Sequence, residues 1–198
     1  MIKAQSASRQ QFRPRSDKPI VLDWSVMIDT QEQRCGWFFR DQQADSKQGH
    51  RYYQVETHVE KMLTGDYTMI DFQGQKLDEF FLIERKSFAD IVGSIDVHDD
   101  RRIRFEEEHQ RMQVVKNNGG FAYVVIEGHP AMQSRVPGFS SRRLYSTWRS
   151  WQSQYDIEWI WAGDAQMAEW MSFQLMIRGM RAWKRKKLNM LVSSRTSR

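Results

Sequence analysis

Phe80-Phe81-Leu82-Ile83-Glu84-Arg85-Lys86 is the stretch on which the reading of this 198-residue chain turns. Four large apolar residues in a row suit a strand buried on both faces. Such a strand ends in three consecutive charges where its end opens into a cleft. Side chains alternate along a strand, so Glu84 and Lys86 project to one side and Arg85 to the other. Asp66 follows the turn residue Gly65 and precedes the apolar run Tyr67 to Phe72. Gln73-Gly74-Gln75 then predicts a hairpin joining that run to a strand over Glu79 to Glu84. In a hairpin Asp66 and Glu84 can meet and share one hard cation, and oxygen ligands of this kind suit Mg²⁺ or Mn²⁺. Lys86 would orient a water and balance charge developing on a phosphate. On residue types alone, a surface hairpin with an ordinary Glu–Lys pair explains the pattern equally well.

On either side of this centre, strand and helix patterns interleave. Ile20 to Ile28 is β-rich, Tyr52 to Met62 alternates, and Phe121 to Ile126 is a compact apolar strand between glycines. Ile157 to Trp161 predicts one more strand. Helices are predicted over Phe88 to Ile95, over the charged Arg102 to Lys116 with Ile103, Met112 and Val115 buried, and over Ser140 to Gln154. Asp164 is a suitable N-cap for a last helix running to about Lys187. The order argues an α/β or α+β domain around a central mixed β-sheet flanked by helices. The expected organisation is a flexible basic tail over 1–18, one domain over 19–163, and a C-terminal helix with a basic tail over 164–198.

Composition narrows the function classes. About 40% apolar residues, including eight Trp and eleven Phe, supply a real core. A single cysteine, Cys35, excludes an internal disulfide and a Cys-based zinc site. Met1 to Gln11 is polar and basic, unlike a secretory signal, and no apolar run is long enough to span a bilayer. No membrane partner is therefore expected, and an intracellular location is: the cytoplasm of a bacterial or phage-infected cell, or the nucleus of a eukaryote. A net charge of +5 is compatible with a polyanion such as DNA. Lys3, Arg9, Arg13, Arg15 and Lys18 form either a solvated tail or a DNA-contacting arm, and Lys184 to Lys187 a basic run near the other end.

A family resemblance changes the weighing. Gly65-Asp66-Tyr67 followed by Glu84-Arg85-Lys86-Ser87-Phe88-Ala89-Asp90 closely resembles the GDY…ERKSxxD signature of XPF/Hef-type nucleases, a branch of the PD-(D/E)XK superfamily. Asp29-Thr30-Gln31-Glu32-Gln33 is similar to the family's D-T-R-E-Q element, and Phe121 to Gly128 to its later core strand ending in IEG. The elements fall in the family's order over roughly residues 20–130. The resemblance implies a restriction-endonuclease-like α/β core and a Mg²⁺- or Mn²⁺-dependent endonuclease acting on DNA, with branched or flap substrates and roles in DNA repair and recombination in view. It implies Asp66, Glu84 and Glu32 as metal ligands, Lys86 as the catalytic lysine, Asp29 as a supporting acid of the catalytic cluster, and Arg85 and Asp90 as supporting residues, with Asp90 either pairing with Arg85 or serving, equally, as a plain first-turn acid of the following helix. A homodimer or heterodimer is also in view.

Two departures bear on this. Gln31 stands where the family has Arg, and an amide cannot replace a guanidinium on a phosphate. No helix-hairpin-helix module follows the nuclease-like segment, so the chain resembles compact bacterial and phage members. The competing reading is a catalytically inactive DNA-binding subunit that retains the fold. Asp96 to Asp100 and Glu106-Glu107-Glu108-His109 are further acid and histidine groups without a known metal spacing. Arg102 and Arg104 are candidate phosphate contacts, with a solvated helix face as the plainer reading. Tyr145, Trp148, Trp151, Trp159, Trp161 and Trp170 suit core positions first and a base-stacking platform second. The stripe Met167, Trp170, Met171, Leu175, Met176 either covers the sheet or forms a dimer interface.

Overall fold

The computed structural model describes residues 19–34, 37, 39, 42–43, 52–95, 100–130 and 140–196. In chain order the strands are β1 (Ile20–Val21), β2 (Ser25–Ile28), β3 (Gln42–Gln43), β4 (Tyr52–Gln54), β5 (Thr57–Val59), β6 (Tyr67–Ile70), β7 (Phe81–Ser87), β8 (Phe121–Glu127) and β9 (Glu158–Trp161). A 3₁₀ turn spans Thr30–Arg34, and the helices are α1 (Phe88–Ser94), α2 (Asp100–Asn117), α3 (Ser141–Tyr155) and α4 (Ala165–Thr196). Six strands form one mixed sheet in the order β5-β2-β6-β7-β8-β9, and β1-β4-β3 form a small second sheet. The expected mixed sheet flanked by helices is therefore the architecture. The N-terminal tail over 1–18 and the group Asp96 to Asp99 lie outside the described residues.

β7 sits at the centre because both of its faces are apolar. Phe81 and Ile83 pack with β6 and α4 in one core, while Leu82 packs with Ala122, Val124, Ile126 and the α1–α3 layer in the other. Each such fully buried large side chain contributes on the order of 2 kcal/mol. β6 and β7 pair antiparallel, as the hairpin reading expects, but the turn at Gln73-Gly74-Gln75 closes only as far as Lys76 opposite Ile70, and a second turn over 78–80 precedes β7, which begins at Phe81 and not Glu79. β7 also runs past Glu84 to Ser87, because parallel pairing with β8 continues over Lys86↔Ile126 and Ser87↔Glu127.

Three sequence expectations are corrected. Ile20 to Ile28 is two strands in different sheets, interrupted at Asp23 and Trp24, and Tyr52 to Met62 likewise divides into β4 and β5. Pairing partners decide this, since β4 joins β1 and β5 joins β2. On α2 the buried side is Phe105, His109, Met112 and Val115, whereas Ile103 is 59% exposed. Residues 105, 109 and 112 repeat at helical spacing, and Ile103 lies off that stripe.

Asp164 caps α4 as its sequence suggests, accepting from Met167 N–H at 2.8 Å. The helix runs well past Lys187 and covers the sheet with Ala168, Phe173, Met176 and Met180; of the expected stripe Met176 is buried there, Met171 and Leu175 pack partly against it, and Met167 is 46% exposed. Phe173 also stacks on Trp24 and meets Tyr53, which brings the small sheet onto the same helix. Further along, Trp183 Nε1 and Lys187 Nζ both donate to the buried Asp71, at 3.0 and 2.6 Å.

Close approach of α4 to the sheet depends on Gly179. A Cβ there would run into the Phe81 ring, with Met69 Cε 3.2 Å away. Alanine is normally favoured over glycine inside a helix by about 1 kcal/mol, but here the added methyl overpacks a rigid ring. Gly179→Ala is expected to destabilise by about 1–3 kcal/mol in urea unfolding. A stabilised variant would mean that the helix lifts off the sheet freely.

Candidate active site

Strand register alone brings the acids together. Ile28 faces Tyr67 and Tyr67 faces Ile83 across three adjacent strands. One residue further along, Asp29, Asp66 and Glu84 form the next row, tied by Asp29 N–H to Asp66 O and Asp66 N–H to Ile83 O, each at 2.8 Å. Alternation turns Asp66 and Glu84 away from the Ile28–Tyr67–Ile83 face and toward the α1–α2 side. Gly65 makes the entry to this row: its φ is +73°, and a Cβ would lie 3.2 Å from Ile83 O.

Asp66 Oδ2 accepts from Arg85 N–H at 2.7 Å. Burial, and then the nearby Glu84 and Glu32 carboxylates, still hold its pKa well above the usual carboxylate range. Glu84 is 2% exposed. Its Oε1 is in contact with Lys86 Nζ, and its Oε2 is buried with no hydrogen-bond partner. A buried carboxylate oxygen left without a partner costs about 1–3 kcal/mol or more, so the position is tuned for something other than stability.

Lys86 faces the same way as Glu84, with Glu108 Oε2 of α2 at 3.7 Å and the Phe105 ring at 5.1 Å from Nζ. Burial pushes the lysine toward losing its proton, but Glu84 and Glu108 outweigh burial and hold its pKa above the ordinary value. Glu108 is itself pushed up to about 9 by burial and by Glu84. Sequence reasoning set the group Glu106 to His109 aside, and the structure brings Glu108 into the site. Its position one turn after Phe105, beside the buried stripe, was the signal that could have found it.

Other expected site residues are placed differently. The Asp29 carboxylate accepts from Met62 N–H at 2.6 Å and Gln31 N–H at 2.7 Å, so it folds the two loops around the site. Arg85 points to the opposite face, where Glu127 grips it through two hydrogen bonds at 2.8 and 3.0 Å. Glu32 approaches Arg85 Nη1 at 3.2 Å and accepts from Tyr67 OH at 3.3 Å. Glu127 also accepts from Trp37 Nε1 at 2.7 Å. Of the two readings of Asp90 the first-turn helix acid holds: it bonds Ser87 at the start of α1 and does not pair with Arg85. Arg102 is committed to Ile95 O and the Trp151 ring, and Arg104 is exposed.

Among the described residues no group of three or more acidic, His or Cys side chains is arranged to hold a metal. What the site offers is the pair Asp66 and Glu84, with one oxygen unpartnered. That donor set fits Mg²⁺ or Mn²⁺, which bind through one or two carboxylates and complete their shells with water and phosphate oxygens.

His109, next to Glu108, belongs to the packing around the site. Trp159 Nε1 can only donate, so His109 Nε2 accepts at 2.9 Å and Nδ1–H donates to Phe105 O at 2.8 Å. Burial lowers its pKa from 6.5 to about 4. The unfolded chain therefore takes up a proton that the folded one refuses. Stability should fall by up to about 3 kcal/mol as pH drops from 6.5 toward 4. Urea unfolding at several pH values reads this, and His109→Gln should flatten the slope in that window. An unchanged slope would assign the acid sensitivity to other groups.

Fold and site together describe a nuclease-type α/β domain with an acid pair and a lysine at the end of its central strand. The ERCC4 domain model matches residues 28–173, and the chain belongs to that family of XPF/Hef-type nuclease domains. Among solved structures it is similar to XPF from Aeropyrum pernix in complex with DNA, at 17% identity and a TM-score of 0.53, covering 87% of this chain and 66% of that one. It is also similar to a second structure of XPF from Aeropyrum pernix, at 19% identity and a TM-score of 0.49, covering 73% of this chain and 58% of that one. The chain thus spans less than two thirds of either solved relative. No curated protein matches it. Among the described residues no helix is long and apolar enough to cross a membrane.

Proposed function

We propose that this protein is a metal-dependent DNA endonuclease whose centre is Asp66, Glu84 and Lys86, acting on branched or flap DNA. The observation that carries this is the buried, unpartnered Glu84 Oε2 beside Asp66, with a charged Lys86 against the same carboxylate. Asp66 and Glu84 would hold Mg²⁺ or Mn²⁺, which supplies polarisation of the phosphate and acidification of a water. Lys86 is held protonated by Glu84 and Glu108, so its part is electrostatic: it faces negative charge developing on the phosphate. Glu108 holds the ammonium from the helix side, and Asp29 shapes the loops that frame the opening.

A second reading keeps one specific observation. Gln31 is exposed at the position where the resemblance expects Arg, which suits a subunit that binds DNA without cutting it. One experiment separates the two. Labelled duplex, flap and single-stranded DNA are incubated with Mg²⁺, Mn²⁺ or EDTA, and calorimetry follows metal binding to wild type and to Asp66→Asn. The nuclease reading expects metal-dependent cutting that Asp66→Asn loses while retaining DNA binding. A wild type that binds DNA but cuts nothing with either metal leaves the binding subunit as the function.

A further inference from the structure

A row of aromatic rings leads away from the candidate site. Phe88, two residues beyond Lys86, lies 6.4 Å by centroids from Trp161; Trp161 lies 5.5 Å from Trp148, and Trp148 lies 5.9 Å from Tyr145. Exposure rises along the row: Phe88 is 9% exposed, Trp161 and Trp148 are half-buried, and Tyr145 is 43% exposed. Trp151 and Trp159, which the sequence groups with these rings, are only 3% exposed and belong to the core.

Topology explains why the row starts at the site. β8 and β9 are parallel, so the intervening α3 runs back against them. Its first turns therefore stand at the strand ends that carry Lys86 and Ser87, in register with Ile126 and Glu127 of β8. Arg142, Tyr145 and Arg149 are exposed at helical spacing, i, i+3 and i+7, and share one face. No acid occurs anywhere in Ser141–Tyr155. The indole N–H groups of Trp148 and Trp161 are themselves buried, so these rings offer a strand their faces and edges only.

We infer that this face of α3 is a track for single-stranded DNA leading from the catalytic end of the sheet, with bases on Tyr145 and Trp148 and phosphates on Arg142 and Arg149. Interleaved cations and rings are the chemistry that such a strand needs: rings accept any base, and arginines track the backbone. A solvated protein-binding face would not need a run free of acids beside exposed rings. The inference rests on the nuclease reading for its polymer, DNA, and adds where an unpaired strand lies.

The test is binding of a labelled dT oligonucleotide in EDTA, so that no cutting occurs, followed by anisotropy and by quenching of tryptophan fluorescence. Tyr145→Ala is expected to weaken binding about tenfold, and Tyr145→Trp to retain it. Arg142→Ala with Arg149→Ala should weaken binding and reduce its salt slope by about two. Tyr145, Arg142 and Arg149 are exposed, so these variants leave the core intact. Wild-type affinity in all of them, alongside metal-dependent cutting by the wild type, rejects the track and leaves the nuclease reading standing. A wild type that binds no DNA overturns both.

Discussion

Lys86→Ala is expected to slow metal-dependent DNA cleavage by about 10²–10³-fold under single-turnover conditions, with DNA affinity nearly unchanged. The size follows from the environment. The ammonium lies between Glu84 and Glu108 with the Phe105 ring beside it, largely out of water, where a fixed charge acts more strongly than in solvent. Burial would strip its proton, and the two carboxylates prevent that. Lys86→Arg should not restore the rate, because a planar fork does not fit a space shaped for a point charge. Glu108→Gln leaves the lysine and Glu84 in place and alters only the helix-side carboxyl 3.7 Å from the ammonium, itself held largely protonated, so its loss of rate should be smaller than that of Lys86→Ala. Retention of more than a fifth of the rate by Lys86→Ala would remove the lysine from the chemistry.

Arg85→Ala should produce the largest loss of stability, about 3–5 kcal/mol, read as a fall of about 10 °C in calorimetric melting. Arg85, Glu127 and Glu32 have side chains only 13%, 12% and 16% exposed. Removing the guanidinium leaves two largely buried carboxylates facing each other with Tyr67 and Trp37 as their remaining donors. A partner change tests the cause: Arg85→Met with Glu127→Gln should lose less than Arg85→Ala alone, since no orphaned charge remains at Glu127. The bond from Arg85 to Asp66 comes from the backbone N–H and survives the substitution. Metal binding should therefore persist in the folded fraction. A melting change below a degree would show that the network is solvated and carries little.

These two residues are neighbours in sequence and opposite in role, and the alternation of a strand already separates them. What each one meets could not be read locally. Arg85 finds Glu127 on β8 and Glu32 after β2, partners that only the β7–β8 pairing and the fold of the β2 loop bring to it. Asp90, one of whose two readings made it the partner of Arg85, is taken by Ser87, the N-cap of α1, whose hydroxyl accepts from Asp90 N–H and donates to its carboxylate. Glu108 enters the site because the stripe Phe105, His109, Met112 fixes the rotation of α2 against the sheet. An eye on charge alone buries Ile103 instead, and the rotation then comes out wrong.

By itself, the sequence determined the central strand, its antiparallel pairing with the strand after Asp66, the common side of Glu84 and Lys86, and the family; the second turn over 78–80 that brings Tyr67 opposite Ile83 it did not. What it determined rests on period-two alternation, turn residues and a motif held within a short span. Tertiary structure alone decided that Asp29 spends its carboxylate on backbone N–H groups, that Glu108 backs the lysine, that α4 shares the core of the sheet, and that an aromatic row leaves the site along α3. Each depends on how far one element is rotated or shifted against another. Burial of side chains from the whole chain sets that placement, and no local window contains it.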